Sequence, residues 1–398
     1  MDLDTYFRDV GANFTTIPQF FKQQGYKSIN VGKMFHRSGP GGDDDISWTE
    51  KYVARGAYRG NGNSWEAVSQ DTKLVDSLEA DYVIERLGQL APDVLAGQEN
   101  FFLGWGLRKP HLPFIFPEEY AQFYPEEDIQ LPANLWAPEE MPNIAWSGWN
   151  ELRTYSDIAA VELLKPTLGD INVTLPDQTT KALRRAYYAT VSYIDAEIGR
   201  VLDHLDKLGL AESTIVMLWG DHGWQLGEHA EWCKHTNFEV ANHNFNFNSK
   251  SMSQQVANHA PLIFAMPQAS EASSSSLRTS KLVEFVDIFP TLVEATGFQP
   301  LDICPMMSNT SVLCTEGASL MPLLDDPELA QWKSSVFWQY PRREIYNKTQ
   351  SFANIKCSQI SRHLYVILSQ GRLFSRQPCT ESHGLLHSYF GVEVVTCG

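Results

Sequence analysis

The longest periodic stretch of the chain runs from residue 179 to 208. Leu183, Tyr187, Val191, Ile194, Ile198, Val201 and Leu205 recur there at steps of three and four, the spacing of one apolar stripe on an α-helix. Gly209 follows as a natural helix-ending residue, and the apolar run STIVMLWG (213–220) comes straight after it as a buried strand. A long helix handed directly to a buried strand constrains the architecture, and the same alternation recurs elsewhere. TIPQFFKQQGY (16–26) reads as a short helix with Gly25 past its end, and Ser28–Val31 follows as a strand. Leu74, Val75, Leu78, Tyr82, Val83 and Leu87 space a second helix, and NFFLGWGLRKPHLPF (100–114) carries another buried strand. APLIFAMP (260–267) is a fourth strand and LVEFVDIFPTLVEATG (282–297) a further helix. Such alternation predicts an α/β domain with a mainly parallel sheet flanked by helices.

In sheets of that kind ligands sit beyond the carboxyl ends of the strands. Lys33, His36, His111, Asp221 and His222 all fall just after predicted strands. The stretch LWGDHGWQLGEHAEWCK (218–234) is the densest: Asp221, His222, Glu228, His229 and Lys234 follow an apolar run that stops at Gly220. A carboxylate such as Asp221 suits a hard cation, and His222 could join it or donate to an anion; these two residues leave the metal's identity open. Lys33 and Lys234 could hold a doubly charged sulfuryl or phosphoryl group, and His36 and His111 could give a proton to a leaving oxygen. Each of these histidines alone is as readily a hydrogen-bonded structural residue; the argument rests on their shared placement.

The 398 residues suffice for one large domain and a smaller one, and 43% of them are hydrophobic, as in an ordinary globular protein. No apolar run approaches the roughly 18 residues of a membrane span. A net charge of −17 argues against a nucleic-acid binder but leaves room for an anionic substrate held by a few local cations. The N-terminal MDLDTYFRDVGANF has neither the basic nor the apolar region of a signal peptide. N-x-[ST] sequons at Asn13, Asn172, Asn309 and Asn347 lean the other way, towards a secretory route. Cys304 and Cys314 flank a loop rich in Ser and Pro that a disulfide could close.

Residues 37–72 and 117–170 read as long loops, the second Pro-rich with short helical turns, and the tail from Cys357 shows no strand or helix period. VANH occurs at 240–243 and again at 256–259, and removing 244–259 leaves FEVANHAPLIF, a smooth entry into the fourth strand. Residues 244–259 therefore read as an insertion, expected to be poorly packed, with Phe245 and Phe247 outside the core; an ordinary surface loop is the alternative.

GKMFH, RKPHLPF, YYATVSYIDAEIGRVLDHLDKLGL and GDHGWQLGEHAEWCKHTNFEV closely resemble the type I sulfatases. TIPQFFKQQGY, KPHLPF, QYPR (339–342) and the ten-residue separation of Cys304 and Cys314 resemble the iduronate-2-sulfatase branch, over about residues 5–345. The resemblance implies an alkaline-phosphatase-like α/β core with a smaller C-terminal subdomain, divided here as 1–328 and 329–398. It implies a hydrolase of sulfate esters on glycosaminoglycans, dependent on one Ca²⁺, lysosomal or secreted. By position, Asp221 and His222 match the family's second metal-binding pair, Lys33 and His36 its Lys-x-x-His sulfate motif, His111 the histidine near the leaving oxygen, and Lys234 the lysine on the sulfate. Glu228 and His229 match no ligand and are expected to brace their loop.

The chain departs from the family in two places. Members carry a first strand ending in a metal-binding Asp pair, then Cys-x-Pro-Ser-Arg, whose Cys becomes the formylglycine nucleophile through a formylglycine-generating enzyme. No Cys of this sequence is followed by that pattern, and Asp43, Asp44 and Asp45 lie in a Gly-rich loop with no buried strand before them. The expectation is a chain that lacks the nucleophile and does not turn over sulfate esters. Strands beside the missing one are expected to have unpaired backbone groups. Two other readings fit parts of the pattern: a non-catalytic protein that binds sulfated glycans, and a metal-dependent phosphoesterase of the same superfold.

Overall fold

The computed structural model describes residues 7–10, 14–35, 44–139, 141, 146, 149, 151–161, 173–234, 260–267, 278–305, 313–328, 331–339, 365–369, 372–376 and 392–397. The chain divides into two compact units. One comprises Met1–Phe20, Arg37–Asp43 and Gln268–His387, the other Phe21–His36, Asp44–Pro267 and Ser388–Gly398. This grouping by contacts differs from the 1–328 and 329–398 division the sequence suggests.

The second unit is built on a six-stranded sheet. Its strands are β1 (Lys27–Gly32), β2 (Glu50–Tyr52), β4 (Phe101–Leu107), β6 (Ile215–Trp219), β9 (Leu262–Ala265) and β15 (Val392–Cys397), in the order β2-β1-β4-β15-β6-β9. β1 runs parallel to β2 and β4, while β15 is antiparallel to both β4 and β6. Hence β1, β2, β4 and β6 share one direction. β9 is antiparallel to β6, so the fourth apolar run turns back rather than extending the parallel set. β15 corrects two expectations. The tail is not devoid of strands, and the edges of β4 and β6 that face each other are both paired, because the C-terminal strand fills the gap between them. Pairing satisfies backbone groups that would each cost about 1–3 kcal/mol if buried alone.

β4 reads FFLGWGL and is buried at all seven positions, as a strand covered on both faces must be. Part of that cover comes from α2 (Val75–Leu95), whose Val83, Leu87 and Leu90 belong to the same core, and α3 (Asp177–Lys207) packs in turn against α2, adding Leu183, Ala186, Tyr193, Ile194 and Val201 to that core. The two helices are also tied by polar groups, with the Ser77 hydroxyl 2.7 Å from the Tyr193 hydroxyl and 2.9 Å from a Glu197 carboxylate oxygen that accepts its proton. Leu183, Ile194, Val201 and Leu205 of the sequence stripe are buried, while Val191 is 41% exposed and Glu197 is buried among its partners. α1 (Ile17–Gln23) ends at Gly25, whose φ of +89° needs no side chain.

The loop expected over 37–72 contains a helical turn at Asp44–Ser47, β2, and β3 (Trp65–Val68), which pairs parallel with β5 (Phe114–Pro117). Residues 117–170 do hold only short turns among the described residues, at Glu118–Phe123, Glu126–Asp128, Leu152–Thr154 and Ser156–Ala159.

The first unit contains α4 (Ile288–Ala295), a parallel pair β10 (Asp302–Ile303) and β11 (Cys314–Thr315), and a three-stranded antiparallel sheet of β12 (Ser335–Gln339), β13 (Tyr365–Ser369) and β14 (Arg372–Arg376). A disulfide joins Cys304 to Cys314 across 5.0 Å between Cα atoms. The buried carboxylate of Asp287 accepts from Lys333 at 2.7 and 2.8 Å and from the Ala318 N–H at 2.9 Å. Among the described residues no helix is long and apolar enough to cross a membrane.

Candidate active site

The site lies in the second unit, at the carboxyl ends of β1, β4 and β6. β1 delivers Lys33. Its turn depends on glycine twice: Gly32 sits at φ +77°, and a Cβ on Gly106 would fall 2.0 Å from the Lys33 carbonyl oxygen. The close approach lets the Lys33 N–H donate to the Gly106 carbonyl at 2.9 Å, which fixes where Lys33 leaves the sheet.

β4 delivers His111 through the turn Arg108-Lys109-Pro110-His111-Leu112-Pro113. Asp76, in the first turn of α2, accepts from the Arg108 N–H at 2.6 Å. The Lys109 ammonium is buried under the turn and donates to the carbonyls of His111 at 3.1 Å and Pro113 at 2.8 Å. Burial lowers Lys109 to about 8 against the pull of Asp76. Lys109 thus braces the turn from inside, and His111 is presented by it.

β6 delivers Asp221 and His222. The imidazole Nδ1 of His222 donates to the Gly223 carbonyl at 2.7 Å, so Nε2 is the atom left to face Asp221 Oδ1 at 3.2 Å. Burial lowers His222 to about 3, and the charge of Lys234 adds to the effect. Burial raises Asp221 to about 7, opposed by the charges of Lys33 and Lys234. With Asp221 ionised, a bare ring nitrogen beside a carboxylate oxygen sets two electron-rich atoms together, an arrangement a cation between them relieves. The pair fits two ligands of a hard cation. Among the described residues no group of three or more His, Cys, Asp or Glu side chains converges on one point.

Lys234 follows β8 (Trp232–Cys233), which pairs with β7 (Gln225–Leu226) in a tight hairpin. His229, Ala230 and Cys233 take positive φ there, at 56°, 58° and 71°. Glu228 and His229 hold this shape. Glu228 accepts from Arg184 at 2.8 Å and from the Leu226 N–H at 2.6 Å, and His229 Nε2 lies 2.7 Å from the Asn134 amide nitrogen. Lys234 then reaches over the Trp224 ring, 4.9 Å from its centroid, and its ammonium lies 2.7 Å from His111 Nε2.

A residue that the sequence reading did not single out completes the cluster. Glu151 Oε1 is 2.7 Å from His111 Nε2, and its two oxygens are 3.2 and 3.0 Å from the Lys234 ammonium. Burial pushes Glu151 upward, but the hydrogen bond from His111 and the charge of Lys234 outweigh it and hold the carboxyl far below its ordinary value. Glu151 is fixed between Trp149, whose indole N–H donates to the Ala230 carbonyl at 2.7 Å, and buried Leu152. The structure therefore gathers Lys33, His111, Asp221, His222 and Lys234 around one end of the sheet, with Glu151 among them. His36, the four sequon asparagines and the segment 244–259 lie outside the described residues.

A model of the sulfatase family matches residues 3–298. The chain belongs to the sulfatase family. Its relatives within the family include iduronate 2-sulfatase of Homo sapiens, 34% identical over 370 residues that cover 86% of this chain and 66% of that protein. A sulfatase of Formosa agariphila is 29% identical over 303 residues, covering 71% of this chain and 52% of that protein. This sulfatase chain thus spans at most 66% of the length of these two relatives.

Solved structures of similar fold include the phosphonate monoester hydrolase of Silicibacter pomeroyi, with a TM-score of 0.59 at 16% identity over 91% of this chain and 71% of that one. A protein solved in complex with its substrate D-glucosamine-2-N,6-O-disulfate gives a TM-score of 0.53 at 18% identity, over 89% and 71%. The fold is alkaline-phosphatase-like, and sulfatases of this fold are generally metal-dependent.

Proposed function

We propose that this sulfatase chain carries the anion-holding and leaving-group side of an iduronate-2-sulfatase-type site, acting on a sulfated glycosaminoglycan or related polysaccharide. The observation that carries the reading is the Lys234–His111 contact beside Asp221 and His222, at the carboxyl ends of strands that share a direction. Lys234 and Lys33 supply positive charge for the sulfuryl oxygens. His111 has Nδ1 committed to the Leu112 carbonyl at 2.7 Å, so Nε2 is the atom through which it would pass a proton to the departing sugar oxygen. His36 belongs to the same proposal by its Lys-x-x-His spacing from Lys33.

Asp221 and His222 would hold one Ca²⁺, which in such a site spreads the charge of the sulfuryl group. Two ligands imply weak binding, because affinity follows ligand number and charge. Glycosylation at Asn13, Asn172, Asn309 and Asn347, and a lysosomal or secreted location, go with the same reading.

The nucleophile is a separate matter. The sequence contains no Cys-x-Pro-Ser-Arg, so a formylglycine-generating enzyme has no target in it, and the covalent step has no attacking group. We expect the 398-residue chain to leave a 2-O-sulfated iduronate disaccharide and an aryl sulfate unhydrolysed in the presence of Ca²⁺. Turnover above that of Lys234→Ala and His111→Ala variants would overturn this. The same residues joined to a segment bearing the Asp pair and the modified Cys, with 244–259 removed, should gain activity. If that fusion is folded yet inactive, the proposed roles of Lys234 and His111 fail.

A further inference from the structure

We infer that Glu151 is a built-in counter-anion, which occupies the anion-holding groups of the resting site and must be displaced before a sulfate group can bind. The inference rests on the reading of Lys234 and His111 as the groups that take the sulfate ester.

The proton count carries it. The Lys234 ammonium has three protons. It stands 2.7 Å from His111 Nε2, and 3.2 and 3.0 Å from the two Glu151 oxygens. The contacts to His111 Nε2 and Glu151 Oε1 have hydrogen-bond geometry, and that to Oε2 is an ion-pair contact only. Two states of His111 are possible, since Nδ1 faces the Leu112 carbonyl at 2.7 Å and must be the protonated nitrogen in both. In the neutral ring, Nε2 accepts from Lys234 and has no proton to offer a leaving oxygen. In the doubly protonated ring, Nε2–H donates to Glu151 Oε1 at 2.7 Å, and two cations stand side by side because a carboxylate joins them. In either state Glu151 holds the position of an anion between the two groups. An incoming sulfate group is likewise an anion and would take the same donors.

The surroundings suit a carboxylate that yields by side-chain rotation alone. Trp149 and Leu152 pin the backbone on either side, and the Thr154 hydroxyl donates to the Glu151 carbonyl at 2.7 Å. Glu151 Oε2 is buried and has no hydrogen bond of good geometry, although the Lys234 ammonium is 3.0 Å away. One oxygen is thus well held and the other is not, which limits what displacement costs. Such a device favours a group with several charged oxygens, a sulfate ester or inorganic sulfate, because such a group replaces the contacts of Glu151 to both His111 and Lys234 at once.

The test is titration calorimetry of sodium sulfate into the full chain, its Glu151→Gln and Glu151→Asp variants, and each combined with Lys234→Ala. Glu151→Gln should bind sulfate at least tenfold more tightly than the original chain. Glu151→Asp, which keeps the charge but reaches less far, should fall between them. Lys234→Ala should remove binding in every background. Equal or weaker binding by both Glu151 variants, with binding still dependent on Lys234, would overturn the counter-anion role and leave the reading of the site intact. Sulfate binding that ignores Lys234, or that is absent throughout, would overturn both.

Discussion

Glu79 offers a stability test with a defined sign. It lies one turn into α2, fully buried, with no side-chain hydrogen bond to either carboxylate oxygen. Its nearest opposite charge is Arg108, 3.8 Å away. Burial, reinforced by the neighbouring Asp76, raises it from 4.5 to about 8. The folded chain therefore keeps a proton that the unfolded chain has released. Stability contributed by this group is greatest below pH 4.5 and falls as pH rises towards 8. At about 1.4 kcal/mol per pH unit, the interval from pH 5.5 to 7.5 is worth roughly 3 kcal/mol. That is a large share of the roughly 5–15 kcal/mol that holds a domain folded. Glu79→Gln keeps the shape and removes the titration. Urea unfolding at pH 5.5, 6.5 and 7.5 should show the original chain losing roughly 3 kcal/mol relative to the variant across that range. Lys109, lowered to about 8, acts with the opposite sign and above that pH, and Asp76, whose carboxyl burial also raises, is present in both proteins. Parallel stability profiles for the two proteins would refute the reasoning.

Three further outcomes are expected. Lys109→Met should destabilise the chain by about 3–5 kcal/mol at neutral pH, because it leaves Asp76 buried without its cation, and Asp76→Asn should recover part of the loss in urea unfolding. Cys304→Ser opens the short loop closed by the disulfide and should cost about 3 kcal/mol, read as a lower melting temperature that reductant mimics in the original chain. Ca²⁺ should raise the melting temperature slightly at millimolar concentration, and Asp221→Ala should abolish the rise; an unchanged rise in that variant would remove Asp221 from the ligand set.

The parts of this structure legible in the sequence are those written in local pattern. β1, β4 and β6 announce themselves as short apolar runs, and α3 through its spacing, within a residue or two of their ends. Placing Lys33, His111 and Asp221 after such runs was enough to bring them to one end of the sheet, because β1, β4 and β6 share a direction. What escaped was non-local. β15 comes from a tail with no alternation and is defined only by the two strands it pairs with. β9 reads as one more apolar run, and nothing in it declares that it turns back against β6. Glu151 sits in a Pro-rich aperiodic stretch whose position depends on Trp149 meeting the Ala230 carbonyl 81 residues away. Asp76 and Glu79 look like ordinary helix-surface acids, and only non-local neighbours bury them, the Arg108 N–H over Asp76 and the end of β1 at Gly32 beside Glu79.

The claim that the cluster around Lys234 and His111 takes a sulfate ester is tested most directly by binding. Titration of the chain with a 2-O-sulfated iduronate disaccharide, and with the same disaccharide lacking the sulfate, separates the anion from the sugar. The expected result is measurable binding of the sulfated disaccharide only, lost in Lys234→Ala and reduced in His111→Ala. Equal binding of the two disaccharides, or binding of the sulfated one untouched by Lys234→Ala, would contradict the account.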